Sequence, residues 1–270
     1  MPSKDHGIED LLRFALEVIH SAGKEALTFY GKGRFDMKFD EGLVTEAELH
    51  AMEFFKEQLG IKFPDHIIFE NNQELNEYTH EGNRYLWIYD ALDGVANFQA
   101  GIPVWGMSLG LMDNFWPVFG VFYLPSTGDI FYARAGKEAY WGNVKINLLS
   151  QDYLNDESVL LTYSRFHQHY SSTFPGKIRS LGCTAAHICY VAMGRADAAV
   201  IAHETYQDLS AASVIIEAAG GKIFRMDGSE FLLNDYLNGE KIDEHLLVVA
   251  PEACQQILDC IQKKISSTIG

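Results

Sequence analysis

The chain has 270 residues, 47% of them hydrophobic and 21% charged, which is the composition of a soluble globular protein. A formal net charge of −16 argues against nucleic acid or an anionic membrane as a binding partner. The four cysteines form no CxxC pair and no zinc-like Cys/His cluster, and no apolar run reaches the length of a membrane span, so we expect a cytoplasmic protein with reduced thiols.

The first half of the chain predicts two helices followed by strands. Apolar residues recur at helical spacing from Ile8 to Tyr30 and predict an amphipathic helix. After a charged loop, Thr45 and Glu48 form a Thr-x-x-Glu capping box that predicts the start of a second helix. Strands are then predicted, the later ones as an antiparallel meander, at 66–70, 85–90, 104–111, 117–124, 130–133 and 139–141.

The second half mixes strand and helix patterns, and the whole chain is therefore of the α/β (α+β) class. Strands are predicted at 158–163, 196–202 and 245–250, and helices at 183–193, 209–219 and 251–265. His187 lies in the apolar pattern of the first of these helices and is predicted to be a packed core histidine. We expect a boundary near 145–155 between an N-terminal lobe, 1–150, and a C-terminal lobe, 151–270.

The clearest chemical pattern lies in the segment WIYDALDGVANF. A predicted strand ends at Asp90, Asp93 follows three residues later, and Gly94 lets a helix begin at once. Two carboxylates at this spacing suit hard cations, which prefer oxygen ligands. The amides at Gly94 and Val95 can receive a phosphate oxygen at the helix N-terminus. Taken alone, the pair of acids is also explained as a strand end and a helix cap.

Other motifs accompany this segment in a fixed order along the chain. They are VTEAE at 44–48, Glu70, RSLG at 179–182, GRADA at 194–198, Asp208 and EAAGG at 217–221. Together with DALDGVANF they resemble the motifs of the inositol monophosphatase family. This family is part of a phosphatase superfamily that also includes fructose-1,6-bisphosphatase. The chain is identified as a divergent member, which implies a layered αβαβα sandwich and, commonly, a homodimer.

The resemblance also implies the roles of individual residues. It implies two or three Mg²⁺ per site, with these ligands: Glu70, Asp90, the Leu92 carbonyl, Asp93 and Asp208. Its catalytic set is Glu48, Glu70, Asp90 and Asp93. Its substrate-binding set, at the phosphate, is Gly94, Val95, Gly182, Cys183 and Thr184. The implied reaction is hydrolysis of a small phosphate monoester by metal-activated water.

The sequence departs from the family pattern at the positions closest to the chemistry. The family has Thr at Val95, whose hydroxyl helps to orient the water, and Asp at Glu48. Glu48 can reach the water itself, or it can be a plain capping-box acid. The inositol enzymes have Glu at the position of Ile201, so myo-inositol 1-phosphate is not expected to be the preferred substrate.

Two functions therefore remain open from the sequence. The first is a Mg²⁺-dependent phosphomonoesterase acting on an inositol-phosphate- or sugar-phosphate-like metabolite. The second is a catalytically impaired family member that acts as a binding or regulatory protein, which the changes at Val95, Glu48 and Ile201 favour. The four predicted metal acids favour the first.

Overall fold

The computed structural model describes residues 7–33, 41–69, 85–114, 116–148, 153–236 and 241–264. None of the helices in these ranges combines the length and the hydropathy needed to span a membrane. The four cysteines are free thiols.

Two helices cover the N-terminal part of the molecule. Helix α1, Ile8–Ala26, buries a face of residues at helical spacing, and helix α2, Glu41–Lys62, packs beside it. The predicted start of α2 at Thr45 is wrong, because the helix begins at Glu41 and Thr45 lies one turn inside it. The backbone before Thr45 thus continues the helix rather than requiring a cap.

The strands described in the first half form a seven-stranded sheet in chain order. They are β1 Ile67–Ile68, β2 Tyr85–Asp93, β3 Gly106–Asp113, β4 Trp116–Leu124, β5 Asp129–Arg134, β6 Ala139–Trp141 and β7 Val144–Ile146. The meander predicted from residue 104 onward is confirmed as antiparallel, with β7 as an added strand. In the described part of this sheet, β1 and β2 are the one pair that runs parallel. A short helix, α3, Val95–Ala100, follows β2 directly.

The second half forms a five-stranded sheet in the order β10-β8-β11-β13-β12 and a small β14-β9 pair. The strands are β8 Val159–Thr162, β9 Tyr170–Ser172, β10 Lys177–Arg179, β11 Ala198–Ile201, β12 Lys222–Arg225, β13 Leu246–Val249 and β14 Ile261–Lys263. The helices are α4 Phe166–His169, α5 Thr184–Ala192, α6 Tyr206–Ala218 and α7 Cys254–Asp259. The long C-terminal helix predicted to residue 265 is wrong, because α7 ends at Asp259 and the chain continues as β14.

Alternation along the strands divides the core into layers. In β4, Val121 packs against α1 and α2, whereas Phe122 faces the central layer of α5 and α6. In β8, Leu161 faces that central layer, whereas Leu160 packs toward α4 and α7. The order is therefore helices, sheet, helices, sheet, helices, and the predicted αβαβα sandwich is confirmed.

Helix α6 lies very close to the first sheet. A Cβ atom on Gly120 of β4 would overlap the backbone of Ala211, so this contact requires a glycine. Because α6 sits against the sheet here, its N-terminal turn is brought to the end of β2. The division between 1–150 and 151–270 stays a prediction. The central core takes residues from both parts.

Candidate active site

Asp90 lies where the β2–β3 ladder is interrupted. Asp90 pairs with Ser108 and Asp93 pairs with Gly106, so Ala91 and Leu92 stand opposite a single residue and form a bulge. The amide of Leu92 donates to Asp90 Oδ1 at 3.2 Å. The bulge keeps both carboxylates on a strand rather than in a turn after it, and it leaves Leu92 outside the regular strand pairing.

Asp93 is held at the N-terminus of α5. Its Oδ1 accepts from the Thr184 amide at 3.1 Å, and its Oδ2 accepts from the Ala185 amide at 2.6 Å and from the Cys183 thiol at 3.2 Å. The carboxylate thus satisfies free amides of a helix that lies far away in sequence. The thiol of Cys183 is buried and donates to Asp93, so the substrate contact predicted at Cys183 would have to come from its backbone.

Asp208 lies in the first turn of α6. Thr205 is the N-cap, and Asp208 completes a capping box in which its Oδ2 accepts from the Thr205 amide at 2.7 Å and from its hydroxyl at 2.9 Å. Asp208 is therefore the third residue of the helix, not its N-cap. Next to it, Gln207 donates to the Tyr89 carbonyl at 2.6 Å and ties α6 to β2.

The three aspartates are close enough to disturb one another's ionisation. Burial raises the pKa of Asp90 well above its usual range, and the charges of Asp208 and Asp93 raise it further. Burial also raises the pKa of Asp93 and of Asp208, although the hydrogen bonds that each accepts oppose the rise. The site is an acidic cluster with a strong preference for gaining positive charge.

Glu48, in α2, lies close enough to this cluster for its charge to affect Asp90. It is partly buried, burial raises the pKa of its carboxyl, and its charge adds to the raised pKa of Asp90. The capping-box explanation of Glu48 is wrong because α2 begins at Glu41. Val95, the first residue of α3, packs on the cluster of α1 and α2, and α3 contacts α2.

Two left-handed glycines meet beside Asp93. Gly94 has φ 87° and Gly182 has φ 77°. A Cβ on Gly94 would lie 3.2 Å from the Gly182 carbonyl oxygen and 3.1 Å from Cys183 Cβ. The predicted phosphate-binding residues of the two segments are thus brought together, at the N-termini of α3 and α5.

Asn97 joins these two turns. Its buried Nδ2 donates to the Leu181 carbonyl and to the Val104 carbonyl, each at 2.6 Å. Nearby, His187 is buried as predicted and its Nε2 accepts from the Leu181 amide at 3.0 Å. Asn97 is part of the DALDGVANF motif, but the sequence alone did not assign it this role.

A further acid of the cluster, Glu204, was not assigned a role from the sequence. It lies in the loop between β11 and α6, and its Oε1 accepts from the Thr184 hydroxyl at 2.7 Å. Burial raises the pKa of Glu204 well above its usual range, followed by the charges of Asp93 and Asp208. Its position four residues before Asp208, just after a strand end, was the available signal. Ile201, in contrast, is fully buried in the central core.

The chemistry of this set fits a divalent cation better than its orientation does. The acids described at the site, apart from Glu48, offer only oxygen ligands: Asp90, Asp93, Asp208 and Glu204. None of them has an ion pair with a basic side chain in the described ranges. As placed, however, no three His, Cys, Asp or Glu side chains of those ranges can hold one metal ion. Asp93 and Asp208 face the amides that they accept from, and the predicted ligand Glu70 lies outside the described residues.

Comparison with known proteins decides the family. The sequence model described as the inositol monophosphatase family matches residues 8–258. The chain belongs to this family.

Its relatives within the inositol monophosphatase family carry several names. A histidinol-phosphatase of Chlorobaculum parvum is 29% identical over 233 residues, covering 83% of this chain and 88% of that one. An inositol monophosphatase of Mesembryanthemum crystallinum is 30% identical over 242 residues, covering 83% and 88%. The structure of a Thermotoga maritima IMPase superposes with a TM-score of 0.75 at 23% identity, covering 93% of this chain and 96% of that one. This family member is thus similar to phosphatases and shares their fold.

Proposed function

We propose that this protein is a Mg²⁺-dependent phosphomonoesterase that hydrolyses a small phosphorylated metabolite. The observation that carries the proposal is the meeting of Asp90, Asp93 and Asp208 beside the paired turns at Gly94 and Gly182. Mutually repelling carboxylates favour a bound cation, and helix N-terminal amides favour a phosphate.

In this proposal two or three Mg²⁺ are held by Glu70, Asp90, the Leu92 carbonyl, Asp93 and Asp208. Bound Mg²⁺ would supply Lewis-acid stabilisation of the attacking and leaving oxygens. The bulge at Ala91 and Leu92 supports a role for the Leu92 carbonyl, because the strand ladder skips this residue. Asp208 would share its carboxylate between the cation and Thr205.

The chain's own groups would bind the phosphate and position the water. The amides of Gly94, Val95, Gly182 and Cys183 would donate to phosphate oxygens, and the Thr184 amide would do so in place of its hydrogen bond to Asp93. Glu48 is the residue that would orient the water and accept its proton, because its carboxyl has a raised pKa and its charge reaches Asp90.

A second candidate function is binding without turnover. Val95 favours it, because the valine side chain has no hydroxyl with which to orient water. In that case the acids would bind cations and a phosphorylated ligand, but no product would form.

The proposal also includes a cytoplasmic location and a homodimer. Multi-angle light scattering of the purified protein tests the homodimer.

A turnover screen separates the two functions. The purified protein is assayed with Mg²⁺ against histidinol phosphate, fructose 1,6-bisphosphate, myo-inositol 1-phosphate and nucleoside monophosphates, with release of phosphate as readout. Asp90→Asn serves as the control for contaminating phosphatases. We expect turnover that Asp90→Asn abolishes, with myo-inositol 1-phosphate not the best substrate, since Ile201 is in the core. Binding of these compounds without release of phosphate would select the second function.

A further inference from the structure

The loop between β11 and α6 places a carboxylate in the site that the proposed reaction does not use. Glu204 follows His203, one of two described non-glycine residues with a left-handed backbone, at φ 70°. The Glu204 carbonyl accepts from the Ile242 amide at 2.8 Å, and Thr205 caps α6 immediately afterwards. The main chain at Glu204 and directly after it is therefore held by hydrogen bonds.

Thr184 connects Glu204 to the aspartates. The Thr184 hydroxyl donates to Glu204 Oε1 at 2.7 Å, while the Thr184 amide donates to Asp93 Oδ1 at 3.1 Å. Among the described residues, Glu204 Oε2 accepts no hydrogen bond and forms no ion pair. One oxygen is therefore fixed next to the proposed phosphate-binding turn, and the other is free to contact a ligand.

The charge of Glu204 is not balanced by any neighbour in the described ranges. Its carboxyl is affected by Asp93, Asp208 and Asp90, and by no basic side chain. The cations of the proposed reaction would balance the three aspartates, and Glu204 is not among the ligands proposed for those cations. A positive group beside Glu204 would offset both its burial and the repulsion from the aspartates.

Position within the loop favours contact with the alcohol part of the substrate. Ile201, which stands where the inositol enzymes have Glu, is fully buried and packs in the central core. Glu204 is the acidic side chain that this loop directs toward the aspartates instead. Thr184 ends the turn proposed for the phosphate and donates to Glu204, so the alcohol attached to a phosphate in that turn would lie next to the free oxygen of Glu204.

We propose that Glu204 determines specificity, selecting phosphate monoesters whose alcohol part carries a positively charged nitrogen, that is, phosphorylated amino alcohols. This inference rests on the proposed function, because it assigns the leaving-group side of the same site. Glu204 is a binding residue here and takes no part in the phosphate displacement.

The test compares two compounds of equal size that differ in one charge, phosphoethanolamine and 2-hydroxyethyl phosphate. Each is measured as a competitor of p-nitrophenyl phosphate hydrolysis, in the wild type and in Glu204→Gln, which keeps the acceptor for Thr184 but removes the charge. We expect the wild type to bind phosphoethanolamine more tightly. Glu204→Gln should reduce that preference about ten- to hundredfold, by weakening phosphoethanolamine alone. Glu217→Gln, at the exposed far end of α6, should leave the preference unchanged.

The outcomes separate this inference from the proposed function. If the wild type hydrolyses p-nitrophenyl phosphate but the preference is the same in Glu204→Gln, the specificity role is wrong and the phosphatase stands. If Glu204→Gln loses both hydrolysis and the Mg²⁺-induced thermal shift, Glu204 is a metal ligand and the inference is overturned. No hydrolysis by the wild type overturns both proposals. A variant that loses hydrolysis alone is compared by the thermal shift that each compound adds with Mg²⁺ present.

Discussion

At the residue scale, each aspartate of the site differs in how many hydrogen bonds it accepts. Asp93 accepts three, from two amides and a thiol, and Asp208 accepts two from Thr205 that use the same oxygen. Asp90 accepts one, from the Leu92 amide. Its burial and the charges of Asp208 and Asp93 all disfavour its ionised form. Asp90 is therefore the carboxylate for which a bound cation would bring the largest gain.

The side chain at position 95 gives a prediction about turnover. Val95→Thr adds a hydroxyl with little change in volume at the first residue of α3, a helix that contacts the Glu48 helix α2. Orientation of water by a general base contributes about 10²–10⁴-fold, so we expect kcat to rise several-fold. Pairing the change with Glu48→Asp should raise kcat more than either change alone, as measured by steady-state phosphate release.

Val95→Ala is the matched control, because it alters volume without adding a hydroxyl. Equal kcat values for Val95→Ala and Val95→Thr would show that the hydroxyl has no role. A fall in kcat for Val95→Thr or Glu48→Asp would mean that Glu48 acts alone in its present geometry.

At the scale of elements, the N-terminus of α5 organises the site. Its first amides hold Asp93, its Thr184 hydroxyl holds Glu204, and its His187 side chain holds the preceding turn through the Leu181 amide. The helix thus fixes two acids and the turn proposed to bind phosphate, through contacts within its first two turns. A change in any of these contacts is expected to affect the others.

His187 makes this element sensitive to acid. Burial lowers the pKa of His187 from 6.5 to about 4. Its Nε2 accepts from the Leu181 amide, which requires that nitrogen to be unprotonated. The neutral form is therefore favoured by folding, and its contribution is complete above pH 6.5 and lost as the pH falls toward 4. This loss amounts to roughly 3 kcal/mol at pH 4.

The measurement is urea unfolding of the wild type and of His187→Gln between pH 7 and pH 4. Gln can accept from Leu181 but takes up no proton, so its free energy of unfolding should fall less on acidification. The buried acids act in the opposite direction in both proteins, because their raised pKa values favour protonation in the folded state. His167→Gln, at an exposed position, should match the wild type. Parallel curves for all three proteins would contradict the role given to His187.

At the scale of the whole molecule, the site is assembled by the contact of several layers. The end of β2, the N-termini of α3 and α5, and the first turn of α6 meet because α6 packs directly on the first sheet. Acids brought together in this way repel one another, and folding must work against that repulsion. A ligand that binds the folded acids alone should therefore stabilise the entire fold.

Metal binding is expected to raise the melting temperature. At a Mg²⁺ concentration about 100 times the dissociation constant, linkage adds about 2.7 kcal/mol, or roughly 5–10 °C for a domain of this size. Asp90→Asn should abolish the shift measured by calorimetry. Without Mg²⁺, the same variant should unfold at the wild-type temperature or above it, because one repelling charge is gone. Asp156→Asn, at an exposed position, controls for a general loss of charge; a full shift in Asp90→Asn would exclude Asp90 as a ligand.

The family, the layered fold class and the segment that carries Asp90, Asp93 and Gly94 could all be predicted from the sequence. These features depend on local patterns: strand alternation, helical spacing and a glycine that must adopt a left-handed turn. The core position of His187 followed from the same kind of pattern, since its neighbours in the helix are apolar. Local patterns also misplaced the start of α2 and the end of α7. A Thr-x-x-Glu pattern can occur inside a helix, and an apolar pattern can continue past the residue where a helix ends.

Which distant residues share the site could not be predicted from the sequence, because it depends on how the layers pack. Asp93 finds its hydrogen bonds on α5, and Thr184 finds Glu204 across a loop, through contacts that depend on how layers pack rather than on any spacing in the chain. The burial of Ile201 is likewise set by which face of β11 meets the central helices. Alternation predicts that neighbouring strand residues face opposite sides, but which side becomes core is fixed when the second layer docks.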